Sequence, residues 1–155
     1  MMRNLGGDIK GKAAAYAKLN LSLHVYAATD NGYHPLNSVF QQVSLHDKIT
    51  FECVPSTTPK LELSCTGLGM PLDDTNCLHQ IFARFQSKIR YQYHIAIDKV
   101  NPMGSGMGGS SSNAAFFLHL LNHIEEWELS LADLTTLSIP FGSDIAYFLV
   151  GGRQR

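Results

Sequence analysis

The chain has 155 residues, of which 45% are hydrophobic and 16% are charged, and its formal net charge is -1. This is the composition of one ordinary globular domain, and it excludes disordered and coiled-coil chains. Because the net charge is close to zero and the basic residues are scattered, nothing indicates a nucleic-acid or acidic-membrane partner.

No apolar run reaches about 18 residues, and the start of the chain lacks the apolar stretch of a signal peptide. We therefore expect a cytoplasmic protein without a transmembrane helix. Cys53, Cys65 and Cys77 form no C-x-x-C pair, so we expect reduced, mostly buried thiols. The histidines show no ligand spacing, and no protein-bound metal is expected.

Alternating polar and apolar residues predict strands in the first half of the chain. Residues 18–26 alternate cleanly, which predicts a half-buried strand with Lys18 and Asn20 on its polar face, about 7 Å apart. The opposite, apolar side of this strand comprises Leu19, Leu21, Leu23 and Val25. Residues 30–32 form a turn signal, and further strands are predicted over residues 39–45, 49–53 and 61–65.

Helical periodicity dominates the second half of the chain. Apolar residues at helical spacing predict a helix over residues 76–90, and alternation predicts a strand over 91–97. Helices are then expected over 114–124, after Ser130 and after Gly142. Ser130 followed by Asp133 resembles a capping box. The order of elements indicates an α+β fold without internal repeats.

A glycine- and serine-rich loop, PMGSGMGGSSSNAA, covers residues 102–115 between the predicted strand and helix. Glycines allow successive backbone N–H groups to converge, and the following helix start offers unpaired N–H groups with a positive dipole end. The serine hydroxyls at the helix start can hold phosphate oxygens or Mg²⁺. The loop therefore predicts a phosphate site.

Three other interpretations fit this loop less well. The P-loop pattern fails because no lysine follows the glycines. The Rossmann pattern matches at Gly104, Gly106 and Gly109, but it requires a second strand that ends in an acid about twenty residues on, where this sequence predicts helix. A flexible linker would lack apolar flanks. The remaining pattern, P-x-x-x-G-[LM]-G-x-[SG]-[SG], is that of the superfamily of galactokinase, homoserine kinase and mevalonate kinase.

Four segments together carry a more specific resemblance: residues 17–25, 30–47, 97–115 and 141–152. They resemble the family of 4-diphosphocytidyl-2-C-methyl-D-erythritol kinases, within the GHMP kinase superfamily. The resemblance implies the ribosomal protein S5 domain 2-like fold of the GHMP kinase N-terminal domain, a mixed sheet packed with helices, over residues 1–155. It also implies ATP-dependent phosphorylation of the 2-hydroxyl of that cytidine diphosphate substrate, in isoprenoid precursor biosynthesis.

The resemblance further implies site residues. Asp144 would accept the proton of the substrate hydroxyl, and Lys18 would pair with Asp144 and steady the transferring phosphoryl group. Asn20 would contact substrate, Tyr33 would stack on the cytosine, and His34 would hydrogen-bond it. The residues implied to bind ATP, with Mg²⁺ accompanying it, are Asn76, Lys99, Pro102, Met103, Gly104, Ser105, Gly106, Met107, Gly108, Gly109, Ser110, Ser111 and Ser112.

Ordinary structural roles are the alternative for these residues. Lys18 as a surface residue, Asp144 as a helix cap, and Tyr33 and His34 as turn residues would each fit the local pattern. The sequence also departs from the family. Ser105 and Ser110 replace loop glycines and would be strained at positive φ. The family's second domain is expected to be absent after Arg155, which predicts weak or absent turnover by this chain alone. The alternatives are a non-catalytic or ATP-binding remnant, or a GHMP kinase for another small alcohol.

Overall fold

The computed structural model describes residues 7–30, 32 and 36–154. These residues form five strands and four α-helices, with 3₁₀ turns over Gln86–Lys88 and Ile139–Phe141. In chain order the elements are β1 (Ile9–Val25), β2 (Leu36–Pro55), β3 (Leu61–Gly67), α1 (Cys77–Phe85), β4 (Tyr91–Lys99), α2 (Gly109–Ile124), α3 (Leu131–Ser138), α4 (Ile145–Val150) and β5 (Arg153–Gln154).

The strands form one mixed sheet in the order β1-β2-β4-β3, with β5 paired to β2. The β3–β4 pair is parallel, because the chain crosses over through α1 between them, and the other pairs are antiparallel. Helix α2 packs against β1 and β2 as well as against the other three helices. The α+β prediction, a mixed sheet packed with helices, is confirmed.

The burial of side chains alternates along β4, which shows which face of the sheet packs against the helices. Every second residue of β4 from Tyr91 to Lys99 is buried. On α2, Phe117, Leu118 and Leu121 are fully buried, and the Phe117 ring meets the Tyr93 ring of β4 edge-on, with centroids 5.7 Å apart. Burying each such apolar side chain contributes about 1.5–3 kcal/mol, so these residues form a main part of the core.

The structure corrects one predicted strand boundary and also tests the capping box and the cysteines. The strands predicted over 39–45 and 49–53 are one strand, because Asp47 remains in the ladder opposite Ala15. The capping box is confirmed: the Ser130 side chain accepts from Asp133 N–H, and the Asp133 side chain accepts from Ser130 N–H. All three cysteines are free, but only Cys53 is buried, and the other two are half-buried.

The predicted apolar face of residues 18–26 is wrong. Leu19 is 45% exposed and Leu23 is 52% exposed. The pairing shifts between Asn20, which faces Phe40, and Ser22, which faces Val39, so Leu21 is an extra residue. Such a β-bulge reverses the alternation beyond it. Leu23 therefore lies on the same face of the sheet as Asn20, although periodicity alone had placed Leu23 on the opposite face.

None of the helices within the described residues is both long and apolar enough to cross a membrane.

Candidate active site

The glycine loop leaves the sheet at the end of β4 and enters α2. Its backbone has positive φ at Gly104, Gly106 and Gly108, with values of 70°, 74° and 72°. The expected strain at the loop serines is not found: among the described residues, positive φ outside glycine occurs only at Glu126 and Glu128. The Ser105 hydroxyl instead braces the turn, since it donates to the Pro102 carbonyl at 2.8 Å and accepts from Met107 N–H at 3.3 Å.

Ser110 lies in the first turn of α2, whose N-cap is Gly108. A glycine has no side chain with which to cap the helix, and the first intrahelical bond runs from Ser112 N–H to the Gly108 carbonyl at 2.8 Å. The preceding amides, from residue 109 to 111, have no intrahelical acceptor. These amides form the positive end of a 16-residue helix, which is a favourable place for phosphate oxygens.

Lys18 connects this loop to the sheet. Its backbone N–H donates to the Met107 carbonyl at 3.0 Å. Its ammonium donates to Asn20 Oδ1 at 2.7 Å and lies 3.4 Å from Asp144 Oδ2. The side chain is only 6% exposed, so Lys18 is not an ordinary surface lysine.

Asp144 occupies the N-cap position of α4, yet its side chain makes no capping hydrogen bond. The carboxylate is 36% exposed and is directed at Lys18. The structure thus brings together Lys18 and Asp144 at the side of the glycine loop, which is the arrangement that the resemblance implied. A carboxylate beside an ammonium and an anion cradle can accept a hydroxyl proton while the cation neutralises a phosphoryl group.

Phe40 on β2 completes the surroundings of Lys18. Its ring centroid lies 4.7 Å from the Lys18 ammonium, and its other neighbour is the Tyr147 ring at 5.1 Å. Asn20, for its part, donates to Ser38 Oγ at 3.1 Å. Sequence reasoning missed Phe40, because its position opposite Asn20 depends on the strand register.

Tyr33 and His34, the residues expected to recognise the cytosine base, lie outside the described residues.

Asn76 caps α1: its Oδ1 accepts from Leu78 N–H at 2.9 Å and its amide donates to the Pro71 carbonyl at 2.7 Å. It also lines a cleft of about 140 Å³ beside the start of α2, together with Ser110 and Asn113. The Asn113 side chain is buried, and its Oδ1 has no hydrogen-bond partner within the described part of the chain. An unpaired buried acceptor of this kind is costly unless a ligand or water satisfies it.

Lys99 does not line this cleft. It continues the inward alternation of β4, and its ammonium lies 2.6 Å from Asp47 Oδ2, with side-chain exposures of 1% and 0%. Lys99 was expected near the adenine end of ATP, but the structure directs it under the loop. Ile95 and Ile97 point inward as alternate residues of the strand, and the same alternation predicts that Lys99 also points inward.

Across the described residues there is no group of three or more histidine, cysteine, aspartate or glutamate side chains that could hold a metal ion. Hard oxygen donors near the loop are the hydroxyls of Ser110 and Ser111 at the start of α2.

Known proteins resemble this chain in sequence. Residues 76–152 match the model of the GHMP kinases N terminal domain. A 4-diphosphocytidyl-2-C-methyl-D-erythritol kinase of Chloroherpeton thalassium is 40% identical over 139 residues, which are 87% of this chain and 47% of the relative. The kinase of the same name from Acinetobacter baylyi is 36% identical over 142 residues, 90% of this chain and 50% of the relative. The chain thus spans about half the length of the curated relatives it matches.

The fold of this chain is also similar to that of solved kinase structures. A crystal structure of 4-(cytidine 5'-diphospho)-2C-methyl-D-erythritol kinase matches with a TM-score of 0.73 and 27% identity, over 93% of this chain and 52% of that chain. Mevalonate kinase of L. major matches with a TM-score of 0.60 at 13% identity, over 97% of this chain and 49% of that one. The second match supports the fold alone.

Proposed function

Because the chain carries the N-terminal domain of the GHMP kinases, we propose that it takes part in phosphoryl transfer from ATP to a hydroxyl of 4-diphosphocytidyl-2-C-methyl-D-erythritol. The observation that carries the proposal is the Lys18 ammonium, held 3.4 Å from the Asp144 carboxylate and tied through its backbone to the glycine loop. The similar curated proteins are named as kinases for this substrate. Such a reaction belongs to isoprenoid precursor biosynthesis.

In the proposed reaction the substrate hydroxyl oxygen bonds to the γ-phosphorus as the bond from that phosphorus to the β,γ-bridging oxygen breaks. The hydroxyl proton passes to the Asp144 carboxylate. Phosphoryl transfer has a loose transition state, so a weak base in the right position suffices. Lys18 orients Asp144 and neutralises charge on the transferring group, and Asn20 holds the Lys18 ammonium at 2.7 Å and contacts the substrate.

The nucleotide is proposed to lie along the start of α2. Its phosphates would accept from the uncapped amides of residues 109–111, and Mg²⁺, held by the phosphates and the Ser110 or Ser111 hydroxyls, would supply charge neutralisation. The adenine would enter the 140 Å³ cleft that Ser110 and Asn113 line. Asn76 would border this cleft and act through its cap of α1.

The cytidine end is proposed to contact Tyr33 and His34. Stacking on the cytosine face would supply affinity, and a hydrogen bond to its edge would supply selectivity. Leu23, which the bulge turns to the same face as Asn20, offers apolar surface beside the methyl-bearing part of the substrate.

Calorimetric titration with a non-hydrolysable ATP analogue and with a cytidine diphosphate compound, together with a turnover assay, tests the proposal. Asp144→Asn and Lys18→Met should each reduce turnover at least about 100-fold, and Asp144→Asn should leave ATP-analogue affinity intact. The control is Asp98→Asn, a carboxylate on the sheet face directed away from the core, which should change neither property.

Loss of ATP-analogue binding in Asp144→Asn, or full turnover by that variant, would contradict the assigned roles. Binding of both ligands with no turnover by the unaltered chain would favour the alternative of a nucleotide-binding module. Binding of ATP with no affinity for the cytidine compound would favour a GHMP kinase for another alcohol.

A further inference from the structure

A single buried carboxylate holds the point at which the glycine loop leaves the sheet. Asp47 Oδ1 accepts from the backbone N–H groups of Val100 and Asn101, each at 2.8 Å. Asp47 Oδ2 accepts from the Lys99 ammonium at 2.6 Å. These three donors are consecutive residues of the segment that joins β4 to the loop, so Asp47 fixes the direction in which the loop starts.

The Lys99 ammonium packs against the other end of the same loop. A Cβ placed on Gly109 would lie 2.8 Å from Lys99 Nζ and 2.8 Å from the Cβ of Asn101. The ammonium is therefore packed directly beneath the backbone at the first residue of α2. Because Asp47 compensates the charge of the Lys99 ammonium, the pair exerts little net electrostatic field at the start of α2. Lys99 therefore acts there through its packing contact.

We propose that Asp47 and Lys99 are positioning residues of the phosphate site. The pair clamps both ends of the loop, and ATP affinity depends on it although neither side chain contacts the nucleotide. This inference rests on the proposed function, and it revises the implied role of Lys99 from an ATP contact to a support beneath the loop.

The opposite end of β4 offers a matched control. The Glu125 carboxylate is 0% exposed, and it accepts from the backbone N–H groups of Arg90 and Tyr91 at 2.9 and 3.2 Å. It also accepts from Arg90 Nε at 3.2 Å and from the Tyr93 hydroxyl at 2.8 Å. Glu125 thus anchors the start of β4 as Asp47 anchors its end, but its carboxylate bonds to Arg90, Tyr91 and Tyr93 and not, within the described residues, to the loop.

The experiment compares Asp47→Asn, Glu125→Gln and the double variant Asp47→Asn with Lys99→Met. Dissociation constants for a non-hydrolysable ATP analogue are measured at a temperature at which circular dichroism shows each protein fully folded. Asp47→Asn should bind at least about tenfold more weakly than the unaltered chain, since small displacements of positioning groups have effects on the order of 100-fold. Glu125→Gln should lose thermal stability yet bind within about twofold, as a distant site does.

The double variant separates position from direct contact. Because Asp47 and Lys99 act as one pair, Lys99→Met should add little to the loss of affinity that Asp47→Asn already causes, and the double variant should bind more weakly than the unaltered chain. If Lys99 itself held ATP, the double variant would bind more weakly than Asp47→Asn, and the inference would be overturned. If Asp47→Asn does not fold at any temperature, the double variant carries the test, and affinity equal to that of the unaltered chain refutes the inference.

Equal affinity of Asp47→Asn and the unaltered chain would refute the inference, as would an equal loss in Glu125→Gln. An unaltered chain that does not bind the ATP analogue would refute the proposed function itself, which distinguishes the two failures.

Discussion

The Phe40 ring is predicted to stabilise the charged Lys18 side chain by a cation–π contact. An ammonium has three N–H donors. Here two acceptors lie close, Asn20 Oδ1 at 2.7 Å and Asp144 Oδ2 at 3.4 Å, and the remaining side faces the Phe40 ring at 4.7 Å. Because the Lys18 side chain is only 6% exposed, water cannot replace the ring. A desolvated cation–π contact contributes about 2 kcal/mol, against about 0.5–1 kcal/mol at an exposed site.

A double-mutant cycle measures this contact without requiring turnover. Urea unfolding is followed for the unaltered chain, Phe40→Leu, Lys18→Met and the double variant, and the coupling free energy is expected to be about 1–2 kcal/mol. Phe40→Tyr keeps the ring and serves as the control, with coupling retained. Additive effects, within about 0.3 kcal/mol of zero coupling, would show that Phe40 only fills space and would refute the argument.

Two further predictions concern the loop and the core. Gly109→Ala should weaken ATP-analogue binding in a calorimetric titration, because its Cβ would meet Lys99 Nζ at 2.8 Å, whereas Gly7→Ala, whose Cβ would meet nothing within 4 Å, should leave binding unchanged; equal affinities of the two variants would contradict the clamped loop. Burial raises the pKa of the Cys53 thiol from 9.0 to about 12, so its contribution to stability is complete below pH 9 and is lost as the pH rises toward 12. Cys53→Ala should therefore flatten the fall of the unfolding free energy in that window by up to about 1.4 kcal/mol per pH unit, and equal slopes in urea unfolding would contradict this.

The parts of the site that could be predicted are those encoded by local pattern. The glycine loop can be recognised from its residue types, because positive φ at Gly104, Gly106 and Gly108 is a conformation that few other residues adopt. The capping box at Ser130 likewise depends on residues three apart. Both features need nothing from the rest of the chain, and both are present in the structure.

The parts that were missed depend on partners distant in sequence. Asp47 was taken as a break between two strands, since nothing nearby indicates that residues 99–101 will saturate its carboxylate. Glu125 follows directly after the helix predicted over 114–124 and was given no role there, although four donors of Arg90, Tyr91 and Tyr93 converge on its carboxylate. A buried charge is tolerated only where such donors converge, and convergence is a property of the fold.

One cross-strand pair explains how the loop and Asp144 come to the same place. Lys18 and Gln42 are opposite each other in β1 and β2, and their N–H groups point away from the shared ladder. The N–H of Lys18 binds the Met107 carbonyl of the loop at 3.0 Å, and the N–H of Gln42 binds the Gly152 carbonyl after α4 at 3.0 Å. The Gln42 side chain adds a second bond, from Gly152 N–H to its Oε1 at 2.8 Å.

The loop and the exit of α4 are therefore attached to the two sides of the same pair of residues. Since α4 begins immediately after Asp144, this attachment sets the distance between the carboxylate and the loop through rigid backbone, and the Lys18 side chain only has to span the gap. A substitution such as Gln42→Ala would loosen α4 while leaving the loop and Lys18 in place. It should therefore impair the alignment of Asp144 with little effect on the phosphate cradle, which separates the positioning of the base from the binding of the nucleotide.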